Sequence, residues 1–288
     1  MTTSAAPGRM GSAQVRVLGV GDEPALRLLM RPDPATHCFA EARLDSGGLR
    51  PHAPGGPFWG YGTGDTVSSA LLVGANLVPV STDEAAREAF AEYAIRQGRR
   101  SSSIVGPASE VLDLWRHLRP FWGPAREVRP DQHLMVATRD ALVAADPRVR
   151  LSVPADLPTL FPACVAMFTE EVGVSPIAGG MEYAYRRRIQ ELIVDGRSFV
   201  RYDDEREPVF KAEIGALSTR ACQIQGVWVR PDRRRQGIAA HGMAAVAQLS
   251  LRRSPVVSLY VNGYNTGALR AYREAGFETV SRFATVLF

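Results

Sequence analysis

The sequence predicts an α/β (α+β) protein of two domains, and three observations carry that expectation. The chain has 288 residues, long for one average domain and sufficient for two cores. Strand-like and helix-like runs alternate throughout, and from about Arg148 their order begins again. A strand-like Val227-Trp228-Val229 leads past Pro231 to the small residues Gly237 and Ala239, and then into the helix-like run Ala240 to Leu251. A loop of that kind suits an anion, because small residues let it approach the backbone and a helix start supplies free N–H groups and a positive dipole end.

Taken in order, residues 1–13 read as a disordered leader: they are small and polar and lack the apolar run of a signal peptide. The first domain is expected over residues 14–138. It opens with a strand at Gln14 to Leu18 and helices near Glu23 to Leu29 and Thr36 to Leu44. Pro51, Pro54, Pro57 and the glycines between Gly47 and Gly64 predict loops around a short strand at Phe58 to Tyr61. Strands at Val67 to Val73 and Leu77 to Val80 precede a helix from Asp83 to Gln97, capped by Ser81 or Thr82. A strand at Ser102 to Val105, a helix from Ser109 to Leu118 and a strand at His133 to Val136 complete the domain, and residues 139–147 form the connector.

The second domain, residues 148–288, begins with a strand at Val149 to Val153. A helix from Leu157 to Thr169 follows, with Leu160, Cys164, Met167 and Phe168 on one apolar stripe. A helix from Met181 to Val194 leads to strands near Ser198 to Tyr202, Val209 to Leu217 and Cys222 to Val229. The loop helix from Ile238, a strand at Val256 to Val261, a helix from Thr266 to Glu274 and a last strand end the chain. The helix, strand, helix series from Asp83 mirrors the one from Ile238 at an offset of about 155 residues.

Composition removes several function classes. Hydrophobic content of 45% and charged content of 22% are ordinary for a globular protein, and no apolar stretch approaches the ~18 residues of a membrane-spanning helix. Cys38, Cys164 and Cys222 are widely spaced and odd in number, which fits reduced thiols in the cytoplasm and gives no zinc spacing; no metal is expected. Net charge is +4, with every basic residue an arginine except Lys211. The clusters Arg186-Arg187-Arg188 and Arg233-Arg234-Arg235 lack the aromatic platforms of a nucleic-acid surface, and no nucleic-acid or membrane partner is expected.

The hexamer Arg234-Arg235-Gln236-Gly237-Ile238-Ala239 has the form R-x-x-G-x-A, and it is neither a Walker loop nor a Rossmann fingerprint. A second series follows at a fitting separation: a β-rich run, Asn265, Ala268, Tyr272 and the pair Gly276-Phe277. Together they resemble the two signatures of the GNAT N-acetyltransferase superfamily, over roughly Gln223 to Glu278 in motif and back to about Arg148 in layout. That resemblance implies two GNAT-like domains, each a mixed, mostly antiparallel sheet with a central V-shaped splay flanked by helices. Acetyl-CoA is the implied co-substrate. The first half is the degenerate copy, because Val78-Pro79-Val80-Ser81-Thr82-Asp83 stands where the phosphate loop belongs and an acidic helix start repels phosphate.

The resemblance implies that Arg234, Arg235, Gln236, Gly237, Ile238, Ala239 and Ala240 hold the diphosphate. Asn265 lies near the pantetheine arm, and Val227, Trp228 and Val229 form the splayed strand that pairs with it. Tyr272 occupies the place of the general acid; a phenol of pKa about 10 can protonate a departing thiolate. The general base departs from familiar patterns. Where histone-type members carry a glutamate, eleven residues before the loop, this chain has Gln223; where ribosomal-protein-type members carry one, five residues before the asparagine, it has Tyr260. Glu213 is the expected base, on the reasoning that apolar Ala212 and Ile214 raise its pKa. Glu170 and Glu171, at the end of the first helix of this domain, are expected to attract a cationic acceptor, and His241 to be a packing or surface residue. Lys211 is a candidate for self-acetylation.

The expected function is acetyl transfer to a primary amine of a small molecule or peptide, by direct attack in a ternary complex. A non-catalytic acyl-CoA sensor or partner-binding module is the alternative. The oligomeric state is open, a homodimer included.

Overall fold

In the computed structural model, residues 12–138 and 140–288 are described. They form two compact units that are not contiguous in sequence. The first takes the described residues up to Asp33, then Arg43–Pro130 and Phe283–Phe288; the second takes Pro34–Ala42 and Asp131–Arg282. The sequence ranges 14–138 and 148–288 therefore follow the units only in part. The expected leader lies, through residue 11, outside the described residues, as does Arg139 of the connector.

In the first unit, β1 (Gln14–Val17) and α1 (Glu23–Met30) are followed by α2 (Cys38–Gly47), whose first half belongs to the second unit. Next come β2 (Phe58–Gly62), β3 (Ser69–Val73), β4 (Asn76–Val80), α3 (Glu84–Gln97), β5 (Ser103–Pro107) and α4 (Ala108–Trp122). Strands β1 to β4 pair antiparallel in order, and β4 joins β5 in parallel through only Asn76↔Ser103 and Leu77↔Ile104. Trp59, Leu71, Phe90, Ile104, Leu114 and Val286 meet in its core, the large apolar burial that stabilises such a layer.

The next strand, β6 (Glu127–Ala137), starts in the first unit and continues into the second. It is longer than the four residues its apolar centre suggests, because Pro130 and Asp131 disguise its first half. Residues 140–147 carry no helix or strand. Then follow β7 (Arg150–Leu151), α5 (Leu157–Val172), α6 (Glu182–Val194), β8 (Ser198–Tyr202), β9 (Pro208–Leu217), β10 (Cys222–Val229), α7 (Ile238–Leu251), β11 (Val257–Asn262), α8 (Thr266–Glu274) and β12 (Phe277–Leu287). The expected strand at Val149 to Val153 shrinks to two residues because Pro154 opens a short helical turn there.

The units exchange their closing strands. Gln132 to Val136 of β6 pair antiparallel with β11 in the second unit, while Phe283 to Leu287 of β12 pair antiparallel with β5 in the first. The second sheet is otherwise antiparallel from β7 through β10. Strands β10 and β11 run parallel, and their pairing ends at Ile224↔Leu259 although β10 continues to Val229 and β11 to Asn262. That divergence is the V-shaped opening. Met243, Val246, Phe210, Ile214, Leu259 and Phe277 lie in the core, with the alanine-rich α7 presenting small residues that let it pack closely. No helix among the described residues is long and apolar enough to cross a membrane.

Candidate functional site

The loop after β10 turns through Pro231–Arg233 and two left-handed residues, Arg235 at φ 63° and Gly237 at φ 77°, before α7 begins. Only glycine takes that conformation without steric cost, which explains Gly237 at the helix cap. No side chain caps α7 there, so the first-turn amides of Ile238, Ala239 and Ala240 are presented to an incoming acceptor such as phosphate. Residues 231–237 are exposed, Ala239 is half-buried, and Ile238 and Ala240 anchor the turn in the core.

The corresponding helix start in the first unit is closed. Asp83 caps α3, its carboxylate accepting from the Ala86 N–H at 2.8 Å, and Glu110 accepts from the Thr82 N–H at 2.9 Å. Two carboxylates thus take the place a phosphate would need.

Arg234 is already engaged. Its Nε donates to the Val229 carbonyl at 3.0 Å and its Nη2 to the Glu170 carboxylate at 2.7 Å, which holds the Glu170 carboxyl below its ordinary range. Glu170 therefore anchors the end of α5 to the phosphate loop, and Glu171 beside it is exposed. Gln236 reaches back to the Asp232 carbonyl at 3.5 Å.

Between Gln225↔Glu213 and Trp228↔Lys211 the register of β10 against β9 slips, so Gly226 and Val227 form a bulge at the mouth of the splay. Gly226 sits at φ 57°, and a β-carbon there would lie 3.0 Å from Met167 Cε and 3.2 Å from both the Glu213 carboxyl and Lys211 Nζ. Trp228 is buried against Ala163 and Met167 of α5, while Val227 and Val229 are half-buried against the main core.

The reasoning that made Glu213 a base needs correction. Ala212 and Ile214 point to the other face of β9, and the neighbours on its own face are cationic or amide donors. Lys211 donates at 3.2 Å, Arg188 of α6 at 3.1 Å and Gln225 at 2.9 Å. Burial alone would raise the carboxyl, but the charges of Lys211 and Arg188 overcome it and hold the pKa down to about 2. A carboxylate so stabilised is a poor proton acceptor. Lys211 is fully buried in the same cluster, which removes it as a self-acetylation target. Arg188 and Gln225 were invisible as partners; the i, i+2 spacing of Lys211 and Glu213 on one strand face was the available signal.

Tyr272 of α8 is buried in the core beside Phe277, and burial together with the Glu171 charge raises its pKa. The structure thus brings Glu171 into electrostatic reach of the phenol, which stays protonated. Asn265 caps α8, its Oδ1 accepting from the Ala268 N–H at 3.1 Å, the local reason for the N-x-x-A spacing. His241 Nδ1 meets the Ala144 carbonyl at 2.7 Å and its ring edge lies beside Gly237.

Comparison with known proteins then decides the family of this region. Residues 167–277 match the family model of the acetyltransferase (GNAT) family. The C-terminal half of the chain carries a GNAT domain. Residues 56–160 match a different model, a domain of unknown function termed DUF4081, in keeping with a divergent N-terminal half. No curated protein matches the sequence. Among solved structures, a GCN5-related N-acetyltransferase from Sphaerobacter thermophilus is similar over 98% of this chain and 96% of its own, at 17% identity and a TM-score of 0.58. A GNAT-family acetyltransferase from Colwellia psychrerythraea is similar over 96% and 99%, at 12% identity and a TM-score of 0.55. A tandem GNAT protein from the clavulanic acid biosynthesis pathway, solved without acetyl-CoA, is similar over 95% and 98%, at 14% identity and a TM-score of 0.51. At these identities the likeness is one of fold. The residues matched to the acetyltransferase (GNAT) family model include the splay, the bulge and the loop.

Proposed function

We propose that the GNAT domain binds acetyl-CoA and transfers its acetyl group to a primary amine. The observation that carries this reading is the uncapped start of α7 at Gly237, next to the divergence of β10 from β11. The diphosphate lies on the amides from Arg235 to Ala240, and the pantetheine arm runs into the splay along Val227 to Val229 with Asn265 on its far side. A backbone amide of the bulge polarises the thioester carbonyl.

The amine lone pair attacks the carbonyl carbon, the N–C bond forms, and the C–S bond breaks with its electron pair on sulfur. The thiolate takes the phenol proton of Tyr272, and the proton shed by the acceptor nitrogen leaves through solvent, so charge and protons balance. Glu171, exposed and within electrostatic reach of the phenol, attracts the ammonium form of the acceptor, while Glu170 pairs with Arg234. No step passes through Glu213, which fixes the bulge instead.

One observation favours the non-catalytic acyl-CoA sensor: the best-placed buried carboxylate is locked as a weak base. Release of free thiol from acetyl-CoA, measured with a panel of primary amines and amino-terminal peptides, separates the two. Amine-dependent release supports transfer. Binding of acetyl-CoA without release from any acceptor supports the sensor.

A further inference from the structure

Glu213 gathers donors from three elements. Its Oε1 accepts from Gln225 Nε2 at 2.9 Å and from Arg188 Nη2 at 3.1 Å, while its Oε2 accepts from Lys211 Nζ at 3.2 Å. Lys211 and Gln225 belong to β9 and β10, the two strands that make the bulge, and Arg188 reaches in from α6. Gln225 stands immediately before Gly226 in the chain. Its carboxamide lies over Gly215 of β9, where any β-carbon would collide with it, so the side chain is confined between Gly215 and the Glu213 carboxylate. Gly226 rests on the same cluster, close to the Glu213 carboxyl and to Lys211 Nζ. The last torsion of a glutamate side chain is soft, and Lys211, holding one oxygen, leaves the other free to turn. Arg188 binds the oxygen that Gln225 also binds, and so stops that turn. Lys211 and Glu213 are buried, whereas 44% of the Arg188 side chain is exposed; exchanging it leaves the core pair in place.

Resting on the reading that an amide of the bulge polarises the thioester carbonyl, we propose that Arg188 is a positioning residue for acyl transfer: by pinning the Glu213 oxygen that holds Gln225, it fixes where the bulge amide points. Arg188 acts through Glu213 and Gln225 and not by touching the coenzyme. A donor aimed at developing charge works because it is already in place, and a misplacement of about 1 Å can cost about 100-fold in rate.

The test is the infrared carbonyl band of acetyl-CoA, labelled with carbon-13 at that carbonyl and bound to the full chain, which reads polarisation without turnover. In wild type the band should lie below that of free acetyl-CoA. Arg188→Met should move it back toward the free position, while acetyl-CoA affinity by calorimetry stays within about twofold, because the loop amides are untouched. Arg188→Lys, which keeps a cation on α6, should give a band between the two. Gln225→Met, which breaks the next link, should shift the band as Arg188→Met does. A displaced wild-type band that Arg188→Met leaves unmoved overturns the role of Arg188 and keeps the bulge reading, even if the variant is less stable to heat. A lysine variant no nearer wild type than the methionine one, or a band indifferent to Gln225→Met, overturns it too. A wild-type band at the free position removes the bulge reading along with the proposal, and failure to bind acetyl-CoA removes the coenzyme reading as well.

Discussion

Arg234 donates to Glu170 across 2.7 Å, tying the cation of the phosphate loop to the last turn of α5. An incoming diphosphate must compete with that carboxylate. Both side chains are substantially exposed, 40% and 51%, so the pair is worth only about 0 to 1 kcal/mol. Glu170→Gln is therefore expected to tighten acetyl-CoA binding by up to about fivefold, read by calorimetry at low salt; weakened binding would show that Glu170 orients Arg234 for the ligand.

Gly237→Asp transplants onto α7 the device that closes α3. A carboxylate at that cap places negative charge at the first-turn amides, and because the left-handed backbone of Gly237 strains any side chain, unlike the extended backbone of Asp83, thermal stability should fall by about 1 kcal/mol while phosphate is repelled. Acetyl-CoA affinity should fall at least about 100-fold, as like charges in contact cost several kcal/mol. Unchanged affinity would move the coenzyme away from this loop.

Tyr272→Phe removes a proton donor and keeps the ring that packs on Phe277. Turnover should drop roughly 100-fold or more with coenzyme affinity within about twofold. Full activity of the variant, measured by thiol release, would take the phenol out of the reaction.

Glu213 supplies an acid-stability signature. Its folded carboxyl sits near 2 against an ordinary 4.5, so between those values the unfolded chain binds the extra proton. The stabilisation is fully present above about pH 4.5 and is lost as pH falls toward 2, on the order of 3 kcal/mol in all. Glu213→Gln should flatten denaturant stability over that window and lower it near neutrality by about 3 to 5 kcal/mol, because Lys211 is left buried and unpaired. Lys211→Met/Glu213→Leu should recover most of the loss. A Glu213→Gln protein as stable as wild type would mean that the cluster is hydrated.

A fragment starting at Arg148 lacks β6, so β11 loses the strand paired through Ser258↔Val136 and Leu259↔Met135, and Phe283 to Leu287 lose β5. Two apolar edges become open, and open edges associate. The fragment should elute as aggregate in size-exclusion chromatography, in contrast to the full chain. A monomeric, coenzyme-binding fragment would show that the exchanged strands are dispensable.

What could be read from the chain follows the range of each interaction. Gly237 and the capping pair Asn265 and Ala268 act within a few residues, and their spacing alone announced the glycine turn into α7 and the start of α8. The fold class was legible for the same reason, since alternation and helical periodicity are local. Glu213 was misjudged because its environment is set by Arg188, 25 residues earlier on another helix, and by Gln225 across the ladder. The engagement of Arg234 by Glu170 is likewise tertiary. Nothing in Glu127 to Ala137 or Phe277 to Leu287 says which sheet each strand will complete, since many partners satisfy the same backbone donors and acceptors.

That trade of closing strands sets an order of assembly. During synthesis the earlier unit emerges with β5 awaiting a neighbour, and the neighbour is made only after α8, when the whole later unit has been translated. Folding from the amino terminus in independent steps is thereby denied to this chain. Loss of Phe283 to Leu287 is felt first in the unit that comes earlier in sequence.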